Sequence, residues 1–274
     1  MTDARIEITN ACNYKCGFCP QSKQTRKIES MSVELFDTIL EKVKSYEHIT
    51  FSGMGEPMIH PEFFHFMGRT IRKGFKVLII TNGSKLDQTM FKELDYKGIE
   101  AVRISWYNKP EQKENLDNIL KLKTRTTKLN LHYTPLNIDA SVDKFIEEYK
   151  DKVDMLEVWK PHNWVDVYKF RKVENQINCN RIKRDPLQIQ VDGSVVACCT
   201  GSWDNELVLG NLKTQSLDEI FESDLYKRLK RHDYKGLICE HCDFRNENKQ
   251  ETLYFSNSGI EDRTNKTSTT FDIL

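Results

Sequence analysis

Three thiols crowd the start of the chain, where "CNYKCGFCP" sets Cys12, Cys16 and Cys19 in the spacing C-x3-C-x2-C. Thiolates grouped this way serve soft metals: zinc completed by a fourth ligand, or three irons of a [4Fe-4S] cube whose fourth iron stays open. The spacing alone does not choose between them. A second set, Cys179, Cys198, Cys199, Cys239 and Cys242, closes with a C-x2-C in "CEHC", and no cysteine lies between Cys19 and Cys179. Two separate sites are predicted. Neighbouring side chains of an extended chain point to opposite sides, so Cys198 and Cys199 do not both face one metal. Four ligands remain, which fit zinc or an iron-sulfur cluster equally well.

The composition bounds what these sites serve. At 274 residues, 38 % apolar and 30 % charged, the chain can form one large α/β domain, or a large and a small one, around an ample core. Lysine plus arginine equals aspartate plus glutamate at 41 each, so net charge does not indicate a nucleic-acid partner. The basic runs "RIKR" and "KRLKRHDYK" carry no aromatic ladder and read as solvated faces. The first residues lack a positive start and an apolar h-region, and no purely apolar run, "VLII" at Val77 to Ile80 included, exceeds five residues. No export signal and no membrane partner are therefore predicted. A cytoplasmic location follows, where cysteines are ligands or thiols and not a disulfide framework.

The elements that must position these residues alternate regularly. β-rich runs at Arg5 to Thr9, His48 to Gly53, Lys76 to Asn82, Ala101 to Trp106, Leu129 to Thr134 and Met155 to Trp159 are separated by amphipathic helical stretches. Helices are predicted after Ser32, from Pro61 to just before Gly74, over Leu86 to Tyr96, from Pro110, and over Val142 to Tyr149. Six such units predict an α/β fold, a partial (β/α)6 TIM-like barrel with right-handed crossovers, whose ligands gather at the carboxyl ends of the strands. "CNYKCGFC" follows strand one and "GMGEP" follows strand two, where a site belongs. Farther on, "LQIQVDGSVVACC" reads as a hairpin turning at Asp192-Gly193, followed by one helix over Ser216 to Lys230 and then "CEHC". A small C-terminal domain of β-hairpin plus helix around a metal is predicted. The expected boundaries are 1–170, 171–245 and a polar, partly disordered tail over 246–274 in which Leu253, Tyr254 and Phe255 offer a docking point.

C-x3-C-x2-C with aromatic Phe18 before the last cysteine, Gly-Glu-Pro after strand two and a partial barrel together resemble the radical S-adenosylmethionine (SAM) superfamily over residues 4 to 165. The resemblance implies that Cys12, Cys16 and Cys19 hold a [4Fe-4S] cluster whose unique iron is chelated by S-adenosyl-L-methionine. Reductive cleavage of SAM gives a 5′-deoxyadenosyl radical that abstracts a substrate hydrogen. It further implies SAM contacts from Gly53, Gly55, Glu56 and Pro57, with Met54 standing where the family has a first glycine. Phe18 is expected against the adenine, Ser105 near the ribose or carboxylate, and Asn82 along the pocket.

The order hairpin with cysteine, "GN" turn, helix and paired cysteines resembles the SPASM and twitch extensions of that superfamily over residues 179 to 243. Only five cysteines are present where a full SPASM domain has seven. The resemblance thus implies the shorter twitch form, with one auxiliary [4Fe-4S] cluster on Cys179, Cys198, Cys239 and Cys242. Such a cluster takes up an electron, and the implied reaction is a dehydrogenase-like oxidation of a small alcohol such as an aminocyclitol. Lys160 and His162, in "KPHNWVD", are candidate acid or base groups, with a surface loop role as the plainer reading. The expected partners are a small-molecule or peptide substrate and a reductant such as flavodoxin or ferredoxin. The alternatives are radical SAM modification of a peptide, a nucleotide or a nucleic-acid base, and a zinc-binding interaction protein. The peptide alternative ranks lower because the chain begins four residues ahead of strand one.

Overall fold

A computed structural model describes residues 3–184, 187–200, 203–247 and 252–257. Six parallel strands stand side by side in chain order: β1 (Asp3–Ile6), β2 (His48–Phe51), β3 (Lys76–Thr81), β4 (Ala101–Trp106), β5 (Lys128–Tyr133) and β6 (Met155–Trp159). The crossovers between them carry α1 (Val33–Lys42), α2 (Phe63–Arg72), α3 (Gln88–Tyr96), α4 (Pro110–Leu120) and α5 (Ala140–Tyr149). This is the partial barrel predicted from the alternating pattern.

Local chemistry explains the helix ends. Ser32 accepts from the Leu35 amide and Asp87 from the Met90 amide, each satisfying one of the orphan donors of a first turn. Pro110 occupies the first turn of α4, and Gly74 follows α2 at φ +87°, a conformation that favours glycine. Pro61 does not open α2 as predicted; the helix starts at Phe63 after Glu62, because His60 and Pro61 are spent in a preceding turn.

The helices lay apolar faces on one side of the sheet, where Phe36 stacks on Phe66 at 4.2 Å beside Ile6, Phe51 and Ile79. Alternation along the strands turns the remaining side chains to the other face. On β4, Val102 and Ile104 join the core while Arg103 reaches Glu157 of β6 at 2.5 Å.

After β6 come α6 (Arg181–Arg184), β7 (Leu187–Ile189), β8 (Ser194–Val196), β9 (Val208–Asn211), α7 (Leu217–Phe221) and α8 (Asp224–Lys230), with β10 (Thr252–Asn257) last. The predicted hairpin is β7–β8, and Gly193 in its turn has φ +87°. β7 pairs in parallel with β1, so the hairpin extends the barrel sheet, in the order β10-β6-β5-β4-β3-β2-β1-β7-β8-β9.

The single helix predicted over Ser216 to Lys230 is two. Ser223 caps α8 by accepting from the Tyr226 amide, which interrupts the run after Phe221. Part of the predicted polar tail is also ordered. β10, which contains Leu253, Tyr254 and Phe255, pairs antiparallel with β6 and covers its edge. The rest of that tail, 248–251 and 258–274, lies outside the described residues.

Candidate cofactor sites

The loop after β1 carries the first three cysteines and is pinned from within. Asn10, fully buried, donates to the Lys27 carbonyl (2.8 Å) and accepts from the Glu29 amide (2.8 Å), drawing the two ends of the loop together. Thr9 bridges to Ser30, closing it further. Inside, the Cys19 amide donates to the Cys16 carbonyl (3.1 Å) and the Tyr14 amide to the Cys12 sulfur (3.4 Å).

One pocket at the carboxyl ends of β1 to β4 is lined by Cys12, Cys16 and Cys19 together with Gly53, Gly55, Glu56, Asn82 and Ser105. It thus gathers residues from four separate loops and strand ends. Pro57 is buried just behind, opening the short turn Pro57–Ile59. Phe18 is not in this pocket. Its ring stacks on Tyr107 at 5.9 Å and faces a neighbouring shallow cleft with Tyr133 and Leu136. Tyr107 itself lines the cysteine pocket, so it forms the wall between the two.

The turn after β2 fits so closely that side chains are excluded. A Cβ on Gly55 would stand 2.2 Å from the Thr9 carbonyl oxygen and 2.5 Å from that of Ala11, both backbone atoms of the cysteine loop. The Glu56 amide donates to the same Ala11 carbonyl (2.9 Å), locking turn and loop together. The Glu56 carboxylate points inward as a brace. It accepts from Thr81 Oγ1 (2.7 Å), the Asn82 amide (2.6 Å) and the Met58 amide (3.0 Å), and burial raises its pKa. Asn82, positioned in this way, donates through Nδ2 to Asn13 (2.9 Å) and lies 3.8 Å from the Cys12 sulfur.

Four contributors escaped the sequence reading. Gln112 of α4 donates to the carbonyls of Asn82 (2.8 Å) and Ser105 (2.7 Å), joining two strand ends that face the pocket. Glu7 and Arg26 pair bidentately under the turn, at 2.6 and 3.0 Å, and Tyr107 is the fourth. None has a spacing signal, because each meets partners brought near by folding alone.

The donor chemistry suits an iron-sulfur group. Burial raises Cys12 and Cys16 and pushes Cys19 up to about 11, so these groups are neutral thiols until a cationic metal group draws the protons off. Among the described residues no set of three or more His, Cys, Asp or Glu is gathered to hold a single metal ion. A four-iron cube makes a different demand, since its thiolates bind separate irons around one cavity.

In the second region, burial pushes Cys239 up to about 11 and Cys242 to about 12, and the nearby Cys179 thiol adds to both, so these three share one neighbourhood. Tyr234 fixes Cys179 by accepting from its amide (2.8 Å) and donating to its carbonyl (3.2 Å). Arg245 lies over the Tyr234 ring at 4.0 Å and donates to the Cys239 carbonyl (2.9 Å). Cys198 follows β8 and packs against the core, with its sulfur 3.7 Å from Thr200 Oγ1. His241, inside the knuckle, is exposed.

Lys160 and His162 line neither cavity described above. The His162 ring packs between Trp164 (4.2 Å) and Phe244 (4.7 Å), and burial, reinforced by Arg171 and Arg181, holds it well below its ordinary pKa. It is a half-buried joint in the loop between β6 and the second region. Asn163 beside it is 1 % exposed and accepts from the Arg171 amide while donating to its carbonyl.

Comparison with known proteins gives this geometry its context. Residues 6–107 match the model of the radical SAM superfamily, and residues 179–243 match that of an iron-sulfur cluster-binding domain, SPASM. The chain carries a radical SAM domain and a SPASM domain. The first implies a [4Fe-4S] cluster with SAM, and the second implies auxiliary iron-sulfur binding.

The radical SAM chain is 30 % identical to the tungsten-containing aldehyde ferredoxin oxidoreductase cofactor-modifying protein of Pyrococcus furiosus, over 70 % of this chain and 50 % of that protein. It therefore spans half the length of that relative. It is 23 % identical to the S-adenosyl-L-methionine-dependent 2-deoxy-scyllo-inosamine dehydrogenase of Niallia circulans, over 86 % of this chain and 90 % of that protein. In fold it resembles BtrN solved in complex with AdoMet and 2-DOIA, with a TM-score of 0.64 at 19 % identity, covering 89 % of this chain and 92 % of the other. No helix among the described residues is long and apolar enough to cross a membrane.

Proposed function

We propose that this chain is a radical SAM oxidoreductase in which residues 1–170 form the radical SAM core and 171–245 a twitch-like auxiliary domain. The observation that carries the reading is the pocket where Cys12, Cys16 and Cys19 meet the Gly53–Glu56 turn, Asn82 and Ser105 at four strand ends. Cys12, Cys16 and Cys19 would hold the [4Fe-4S] cluster, and Cys179, Cys198, Cys239 and Cys242 an auxiliary one. When bound, the first cluster and SAM supply an electron and a hydrogen-abstracting adenosyl fragment.

The chain's own residues do the positioning. Gly53 and Gly55 let the turn pack directly on Glu7 and on the Thr9 and Ala11 carbonyls, which fixes its backbone along the pocket, where it can meet a polar group such as the SAM amino group. Asn82 and Ser105 offer polar atoms on the adjoining strand ends. Tyr107 and Phe18 form an aromatic wall on which an adenine can lie. Oxidation of a small alcohol such as an aminocyclitol is the substrate class we favour, with a ketone as product. It accounts for a second, fully ligated cluster, which can accept the electron left after hydrogen loss.

Anaerobic reconstitution tests the reading. The expected outcome is about eight irons per chain, a brown protein, and 5′-deoxyadenosine formed only when SAM and a reductant such as reduced flavodoxin are present. A reconstituted, reduced protein that forms no 5′-deoxyadenosine would falsify it, and a colourless protein loaded with zinc would establish the alternative of a metal-stabilised interaction module.

A further inference from the structure

We propose that Glu7 and Arg26 are a positioning pair through which the C-terminal region sets the geometry of the Gly53–Glu56 turn, and with it SAM binding. The proposal rests on the role given to that turn above.

Glu7 follows β1 and is 5 % exposed. Its carboxylate is shared among three parts of the molecule. Oε1 accepts from Arg26 Nη1 (2.6 Å) and from the Val191 amide of the β7–β8 hairpin (3.3 Å). Oε2 accepts from Arg26 Nη2 (3.0 Å) and from the Met54 amide of the turn (2.7 Å). A carboxylate offers about four acceptor sites, so this one is fully committed. The turn also rests on it sterically, because a Cβ at Gly53 would stand 2.4 Å from Glu7 Cγ and 2.6 Å from its Cβ and Oε2.

Arg26 is gripped a second time, from the segment between β8 and β9. Asp204 Oδ1 accepts from the amides of Thr25 (2.6 Å) and Arg26 (3.1 Å), and Oδ2 from Thr25 Oγ1 (3.0 Å). Val191 and Asp204, both beyond residue 170, thus hold the unit on which Met54 hangs.

Stability alone does not require this arrangement. A buried ion pair recovers little more than its desolvation cost, and apolar residues of equal volume often serve as well. What a bidentate pair adds is fixed orientation of both partners.

The test uses the full chain and two readouts. Asp204→Asn and Arg26→Lys should each speed amide hydrogen exchange at Met54 as well as at Thr25 and Arg26 in the protein without clusters. In reconstituted protein both should raise the Kd for SAM by about ten-fold and alter the SAM-induced change in the reduced cluster's EPR signal, at wild-type iron content. Glu7→Gln should do the same more strongly; if it fails to fold, the other two variants decide. Faster exchange at Thr25 and Arg26 with Met54 exchange, SAM affinity and EPR change all at wild-type values overturns the proposal. If the wild-type protein binds no SAM, the functional reading fails, and the exchange data still decide whether the pair couples the two regions.

Discussion

Glu56 shows how much of a site can lie behind the atoms that touch a ligand. In the resemblance it belongs to a turn that contacts SAM, yet in the fold its two oxygens are spent on the Met58 and Asn82 amides and on Thr81. Both oxygens accept from backbone N–H groups, and a glutamine can accept on only one of them. Glu56→Gln should therefore leave a buried amide unpaired, lowering stability by about 1–3 kcal/mol, measured by urea unfolding, and should weaken SAM binding because Asn82 loses its anchor. An unchanged unfolding midpoint would show that the carboxylate is not the brace described. Phe18 teaches the complementary lesson. Its position before Cys19 suggested direct packing on adenine, but the fold interposes Tyr107, so the aromatic surface is shared by two rings from two elements.

At the scale of elements, the joint after β6 carries a pH dependence. His162 is held well below its ordinary pKa by burial and by Arg171 and Arg181, and burial also lowers His60, whose Nδ1 accepts from the Glu62 amide. In the unfolded chain both rings take a proton near pH 6.5. Below that pH the unfolded state binds protons that the folded state refuses, so stability falls as pH drops. His162→Asn, which keeps an acceptor for the Trp164 amide, should reduce the stability difference between pH 7.5 and pH 5.5 by about 1 kcal/mol; parallel pH profiles for the two proteins would refute this. The β6 edge gives a second prediction. β10 covers it through pairs such as Phe255 with Glu157 and Ser256 with Leu156. A chain ended at Glu247 should unfold at lower temperature and associate with rising concentration in sedimentation, since a bared strand edge templates further pairing. A monomer of unchanged melting temperature would count against that role.

Across the whole molecule the two regions that carry the cysteine sets share one continuous sheet, with β7 paired to β1, and are joined further by Glu7, Asp204 and the Tyr168 hydroxyl, which donates to the Cys19 carbonyl at 3.0 Å. The electrostatic contacts run within each set, from Cys12 and Cys16 to Cys19, and from Cys179 to Cys239 and Cys242. Replacing Cys179 and Cys239 together by alanine should halve the iron content, retain part of the 5′-deoxyadenosine formation and abolish substrate oxidation. Loss of all SAM cleavage with the first cluster still loaded would instead make the second site a structural support of the first.

Much of this was legible in one dimension. Helical and strand periodicities come from local backbone geometry, so the six strands and the five helices between them, the Gly193 hairpin, the cap at Ser32 and the helix start at Pro110 could be read directly. The cysteine spacings could be read for the same reason, because a loop of eight residues keeps its ligands close in any fold. Where the helix after Ser216 breaks was less legible, since Ser223 is an acceptable helix residue until its side chain caps the next turn. The partners of Glu7, Glu56 and Gln112 were not legible at all. Each lies on a distant segment, and which backbone amide meets which carboxylate depends on how strands and loops pack. The sequence by itself determined the elements, the two sets of thiols and the chemistry they invite. Only the tertiary structure decided that the second region extends the first region's sheet and grips its turn, because those contacts exist only once the chain has closed on itself.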